Sequence, residues 1–188
     1  MKKSRKDDVI KIANCIIRKN GYSNLSFINI AKALDVTREN VHHYFKKKEL
    51  LGNACLEVML ADLNDRFLSI LNSDTNSIDK LKKYFKIYKI QENETEDCPI
   101  VSLLAEYELL PESMQIQVKQ LIEIEQYNME KILEKGLLDK SFYITKDVKD
   151  EASLIISLLK GAVSYGKVNG NFEKTIKLLL ESLIKNDD

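Results

Sequence analysis

The chain has 188 residues, long enough to bury a substantial core, and its composition (44% hydrophobic, 31% charged) excludes a disordered chain. Only six glycines and two prolines occur, which disfavours a sheet-rich or low-complexity protein. Net charge is zero but unevenly placed: residues 1–52 carry 12 Lys+Arg against 5 Asp+Glu, a surplus of +7, and the remainder carries 17 against 24, a deficit of −7. A basic head on an acidic body is the asymmetry of a protein that presents one end to a polyanion.

Helical periodicity runs almost throughout. Val9, Ile12, Ala13, Ile16 and Ile17 recur at steps of three and four, and Gly21 supplies the left-handed turn that closes this first helix. Ser26 is placed to cap a second helix whose apolar side is Phe27, Ile30, Ala31 and Leu34. After a short turn at Asp35-Val36, Thr37 is placed to cap a third helix through "RENVHHYF". Two short helices joined by so few residues outline a helix-turn-helix, with aspartate in the turn where glycine is frequent. A longer helix is expected from Lys48 to about Leu71, with Leu51, Ala54, Cys55, Val58, Leu63, Phe67 and Leu71 inward. Further helices are expected near 78–91 and 100–109, separated by the acidic loop "QENETEDCP", and another opens at Pro111 and stops at Gly136. Two last helices, about 147–168 and 172–185, are apolar around more of their circumference than a surface helix needs, which fits a homodimer built through them. The expected fold class is all-α: an N-terminal three-helix helix-turn-helix domain, residues 1–48, and a C-terminal helical bundle for dimerisation and ligand binding, residues 49–188.

Few chemistries fit. Cys15, Cys55 and Cys98 are odd in number and widely spaced, which argues for buried thiols in a reducing cytoplasm rather than disulfides or a zinc site. His42 and His43 are adjacent on a helix, so their side chains diverge by roughly 100° and do not converge on one metal. No GxGxxG, phosphate loop or GxSxG is present, so neither an enzyme nor a cofactor is indicated. No apolar run approaches the roughly 20 residues that span a bilayer, so a membrane is not an expected partner. Nucleic acid fits better. The second helix of a helix-turn-helix lies in the major groove, where Arg38 suits a guanine edge and Asn40 an adenine edge.

The stretch "GYSNLSFINIAKALDVTRENVHHYFKKKELL" resembles the DNA-binding segment of the TetR family of bacterial transcriptional repressors. The matching positions are Gly21-Tyr22, Ser26, Ile30-Ala31, Val36-Thr37, Val41-His42, Tyr44-Phe45, Lys48 and Leu51. The resemblance implies phosphate contacts from Ser26, Thr37, His42 or Tyr44, and Lys48, and base contacts from Arg38 and Asn40, with His43 a further candidate. It also implies a palindromic double-stranded DNA operator and an unknown small-molecule effector bound in the body. Candidates for that pocket are Tyr84, Tyr88, Tyr107, Tyr127 and Met129, bordered by Cys98 and Glu106. The sequence departs from the family pattern at Ile28, at Glu39, where a small residue is usual, and at His42, where tyrosine is usual. The departures at Ile28 and Glu39 leave a second reading open, a helical binding or adaptor protein that keeps the fold without operator recognition.

Overall fold

The computed structural model describes residues 5–93 and 99–184. Among these residues the chain forms nine α-helices: α1 (Arg5–Asn20), α2 (Phe27–Leu34), α3 (Arg38–Tyr44), α4 (Lys48–Asn72), α5 (Ser77–Asn93), α6 (Pro99–Ala105), α7 (Glu112–Leu138), α8 (Val148–Asn169) and α9 (Phe172–Leu183). A single turn of 3-10 helix, Tyr107–Leu109, lies between α6 and α7. The only strand-like pairing among the described residues is an isolated antiparallel bridge between Phe142 and Ile184. The all-α expectation therefore holds.

The helices form two compact units. The first comprises Met1–Asp62 and Glu96–Leu121, the second Leu63–Thr95 and Ile122–Asp188, so the long helices α4 and α7 each contribute to both. In the first unit α1 packs on α2 and α6, and α2 on α3. Its core is drawn from the apolar stripes legible in the sequence: Val9, Ala13 and Ile17 of α1, Ile30 and Ala31 of α2, Val41 of α3 and Leu51 of α4 are all buried. In the second unit α5 and α9 both pack on α8. Phe67 of α4 stacks on Tyr84 of α5 with ring centroids 4.7 Å apart. The Asp147 carboxylate caps α8 by accepting from the Lys149 backbone N–H at 2.8 Å.

Three sequence expectations change. Gly136 does not stop its helix: α7 continues to Leu138, and the chain turns at Lys140, whose φ is 60°. Glycine is required at 136 for packing instead, because a Cβ there would lie 1.9 Å from the Phe142 ring. The helix expected over 100–109 breaks after Ala105 and resumes as a 3-10 turn, with Glu106 at the break. Val58, expected inward, is 47% exposed. The acidic residues 94–97 and Cys98 lie outside the described residues.

Cys55 is buried, and that burial pushes its thiol up to about 12, so it stays protonated and unreactive at neutral pH. Lys80 is a buried cation with a structural task. Its ammonium donates to the carbonyls of Ile70 (3.0 Å) and Leu71 (2.9 Å), and to that of Ser73 just beyond the end of α4. These are the carbonyls that a helix terminus leaves without partners, and a cation there also meets the negative end of the helix dipole. Replacing Lys80 with methionine should keep the packing volume but orphan those carbonyls. The expected loss of unfolding free energy is about 2–4 kcal/mol, read from urea denaturation of the purified protein.

Candidate nucleic-acid interface

The interface is built from three short-range devices. Ser26 caps α2, its Oγ accepting from the Asn29 backbone N–H at 3.2 Å, and Thr37 caps α3 in the same way from Asn40 at 3.3 Å. Between them Asp35 adopts the left-handed conformation (φ 51°), and the Val36 N–H closes the turn on the Ala31 carbonyl at 3.0 Å. Aspartate tolerates that backbone better than most residues, which is why the turn closes without glycine. Val41 is fully buried and Phe45 nearly so. Together these fix the direction in which α3 presents its other side chains.

At roughly 100° per residue, the side opposite Val41 is occupied by Glu39 and His43, with Asn40 and His42 on the two flanks. All four are exposed, as are Thr37, Arg38 and Tyr44, whereas Ser26 is half-buried. Arg38 and His42 share the flank toward α2, where the His42 ring meets Phe27 edge-on with centroids 6.0 Å apart. Asn40 and Tyr44 face the other way. With Arg5, Asp8 and Val9 of α1 they line an open cleft of about 420 Å³. The two histidine rings thus have different neighbours, His43 meeting Tyr44 at 5.5 Å. The Glu39 carboxyl sits below the usual carboxylate range, held ionised by its own backbone N–H and by the Thr37 hydroxyl.

The lysines after α3 divide. Lys46 and Lys47 are exposed. Lys48 turns inward: its ammonium donates to the Ser23 carbonyl at 3.0 Å and lies 4.4 Å from the centre of the Tyr22 ring. Burial lowers the Lys48 pKa, and the Glu106 charge partly offsets that effect. Glu106 meets the same turn, accepting from the Ser23 backbone N–H at 2.9 Å. Its carboxylate lies over Gly21, where a Cβ would come within 2.5 Å of it and where φ is +80°. Ser102 of α6 adds a donation to the Ile17 carbonyl at 2.8 Å. Glu106, expected at the border of a ligand pocket, is thus committed to the α1–α2 turn.

The fold has counterparts among known proteins. Residues 10–55 match the family model described as bacterial regulatory proteins, tetR family. A TetR transcriptional regulator from Legionella pneumophila is similar over 98% of this chain and 100% of its own, at 25% identity and a TM-score of 0.88. Residues 10–55 therefore match the TetR DNA-binding segment, and the chain as a whole shares the fold of TetR regulators. A TetR-family regulator from Agrobacterium tumefaciens (18% identity, 96% and 98% covered, TM-score 0.91) and the reduced form of Escherichia coli NemR (20%, 97% and 98%, 0.86) share the fold. No curated protein matches the sequence. The TetR fold is that of DNA-binding transcriptional regulators, and its helix-turn-helix is the segment built here by α2 and α3.

The remaining TetR-type pocket candidates are distributed as follows. Tyr84, Tyr88 and Met129 are buried in the second unit, whereas Tyr127 is 56% exposed with the Lys131 ammonium 5.4 Å from its ring centre. Tyr107 is half-buried in the first unit. Sequence reasoning did not single out the polar centre beside Tyr88. There the fully buried Glu125 accepts from the Tyr88 hydroxyl and from the Lys160 ammonium, the latter at 2.5 Å, and Lys160 also lies 4.6 Å from the Tyr88 ring centre. A carboxylate one helical turn from the buried Leu121 and Met129, on an otherwise apolar stripe, was the signal available.

Glu106→Ala should loosen the α1–α2 turn specifically. The expected outcome is faster amide exchange at Ser23 and a stability loss of about 1–2 kcal/mol, measured by hydrogen exchange and urea denaturation.

Proposed function

We propose that the protein is a homodimeric, sequence-specific DNA-binding regulator that represses from a palindromic operator and is released by a small-molecule effector. The observation that carries this reading is the presentation of α3. A helix whose apolar side is sealed by Val41 exposes Arg38, Asn40, His42 and His43 on its remaining faces. Such a helix reads base edges in the major groove while its flanks hold phosphates. Arg38 and Asn40 are the proposed base readers, with His43 beside them. Thr37, Ser26, His42 and Tyr44 are the proposed phosphate contacts. Exposed Lys46 and Lys47 add positive charge, and Lys48 acts both as an anchor and as a brace for the α1–α2 turn.

Dimerisation through α8 and α9 is supported by an apolar face left exposed among the described residues. Leu154, Leu158, Gly161, Tyr165 and Val168 recur along one side of α8; Tyr165 and Val168 are 74% and 89% exposed, and Leu178 of α9 is 56% exposed. A self-complementary patch of this kind fits a two-fold interface, which in turn fits two half-sites about one DNA turn apart. An effector site in the second unit is supported by the Tyr84, Tyr88, Glu125 and Lys160 centre. There Glu125 Oε2 and Asn128 Oδ1 are buried without a donor among the described residues. An effector acts by binding the DNA-incompetent state more tightly than the competent one.

Titration of DNA from upstream of the protein's own gene, at several salt concentrations, tests the DNA-binding reading. Affinity should fall steeply with salt. Arg38→Ala should cost about 1–3 kcal/mol and relax one base position, while Lys48→Ala should weaken all sequences alike. Unchanged affinity in both variants, with no salt dependence, would leave the adaptor reading in its place. Separately, Tyr165→Glu combined with Val168→Glu should give a monomer by sedimentation, with the helical content of the native chain.

A further inference from the structure

Glu39 stands on the ridge of α3 opposite Val41, in a helix otherwise equipped with donors. Placed in a major groove, that ridge faces base edges, and an ionised carboxylate there sits in the negative potential of the flanking phosphates. It is tolerated at little cost only where it meets a donor hydrogen. Among major-groove edges, the exocyclic amino group of cytosine is the donor a single carboxylate matches. Arg38 lies one residue earlier on the same helix, and an arginine there pairs with the guanine acceptors O6 and N7. Neighbouring carboxylate and guanidinium groups therefore suit adjacent edges of opposite polarity.

Resting on the proposed DNA-binding function, we infer that Glu39 is a specificity-determining residue that reads a cytosine by accepting from its N4 amino group. The local chemistry prepares it for this. Its side chain is exposed on that ridge, and its own backbone N–H and the Thr37 hydroxyl favour the ionised carboxylate that accepts such a bond. Thr37 is also the cap of α3, so the cap and the reading group are coupled. The bland alternative is electrostatic: Glu39 merely repels phosphate and lowers affinity for every sequence.

Selection of binding sites from a random double-stranded DNA library, with the wild-type chain and with Glu39→Gln and Glu39→Ala, separates the two. The side chain is exposed, and unchanged circular dichroism and urea midpoints would show that both variants fold. Wild type should enrich cytosine at one position of each half-site. Glu39→Ala should lose that preference, with about a tenfold drop for the cytosine site relative to its competitors. Glu39→Gln should shift the preference to adenine, whose N6 and N7 a glutamine matches. A uniform rise in affinity for all sequences in both variants, with the base preferences unchanged, overturns the inference in favour of repulsion. The same preferences and the same affinity in all three chains overturn it as well. If the wild-type chain selects no sequence at all, the DNA-binding reading fails first, and the inference with it.

Discussion

The recognition helix is too short to be a helix by itself. Seven residues lie well below the roughly 12–15 at which an isolated helix becomes even marginally stable in water. Its existence and its direction both rest on the burial of Val41, supported by Phe45 at its end and by the Thr37 cap at its start. Burial of a valine side chain is worth about 1.5–3 kcal/mol, and a threonine cap about 1. Those two terms fall short of the roughly 7–14 kcal/mol that ordering seven backbone residues costs, so the helix also depends on its hydrogen bonds and on the rest of its packing, and its exposed side chains are only as well aimed as that packing allows. The left-handed Asp35 turn completes the constraint by fixing where α3 starts relative to α2.

A second layer supports the first. The α1–α2 turn carries Ser23, and Ser23 is held at both of its backbone polar groups. Lys48 binds its carbonyl, and Glu106 binds its N–H. Opposite charges on α4 and just beyond α6 thus grip one peptide segment of the α1–α2 turn that leads into the helix-turn-helix. Gly21 needs glycine for its positive φ of +80°, and the Glu106 carboxylate packs into the space a side chain would take. It also gives Lys48 a role that composition alone does not suggest: part of its charge is spent inside the protein.

The sequence made the helices legible because their signals are local. Apolar spacing marked α1, α2 and α3, and the caps Ser26 and Thr37 stand where hydroxyl residues before such stripes suggest. What was not legible depends on partners distant in the chain. Gly136 reads as a helix stop by residue type, yet Phe142 folds back onto it and demands the missing side chain. Val58 reads as core by spacing, yet it stays 47% exposed among the described residues. Lys80 carries no signal of its task in the local sequence, and only the fold brings it to the end of α4. The site divides in the same way. Thr37, Arg38, Asn40, His42 and His43 follow from the helix period. By contrast, the inward turn of Lys48, the commitment of Glu106 and the Glu125–Lys160 centre require three-dimensional neighbours.

The charge pattern gains meaning from this division. The surplus of +7 lies in the first 52 residues, but α3 itself contributes little to it, because Arg38 and Glu39 cancel and neutral histidines add nothing. Phosphate attraction is long-ranged and indifferent to sequence, so it is best supplied by groups outside the reading helix, such as exposed Lys46 and Lys47. A reading helix that is itself nearly neutral gains little from non-specific contact. On the proposed function, its free energy of binding would then depend on matched donors and acceptors, and a mismatch would leave Glu39 or Arg38 facing a group of like polarity. Separating attraction from reading in this way raises the ratio of specific to non-specific affinity, the quantity that decides occupancy when competing sites are numerous. The carboxylate that looks misplaced beside DNA is consistent with that logic, since a group that is unfavourable almost everywhere makes the one favourable site stand out.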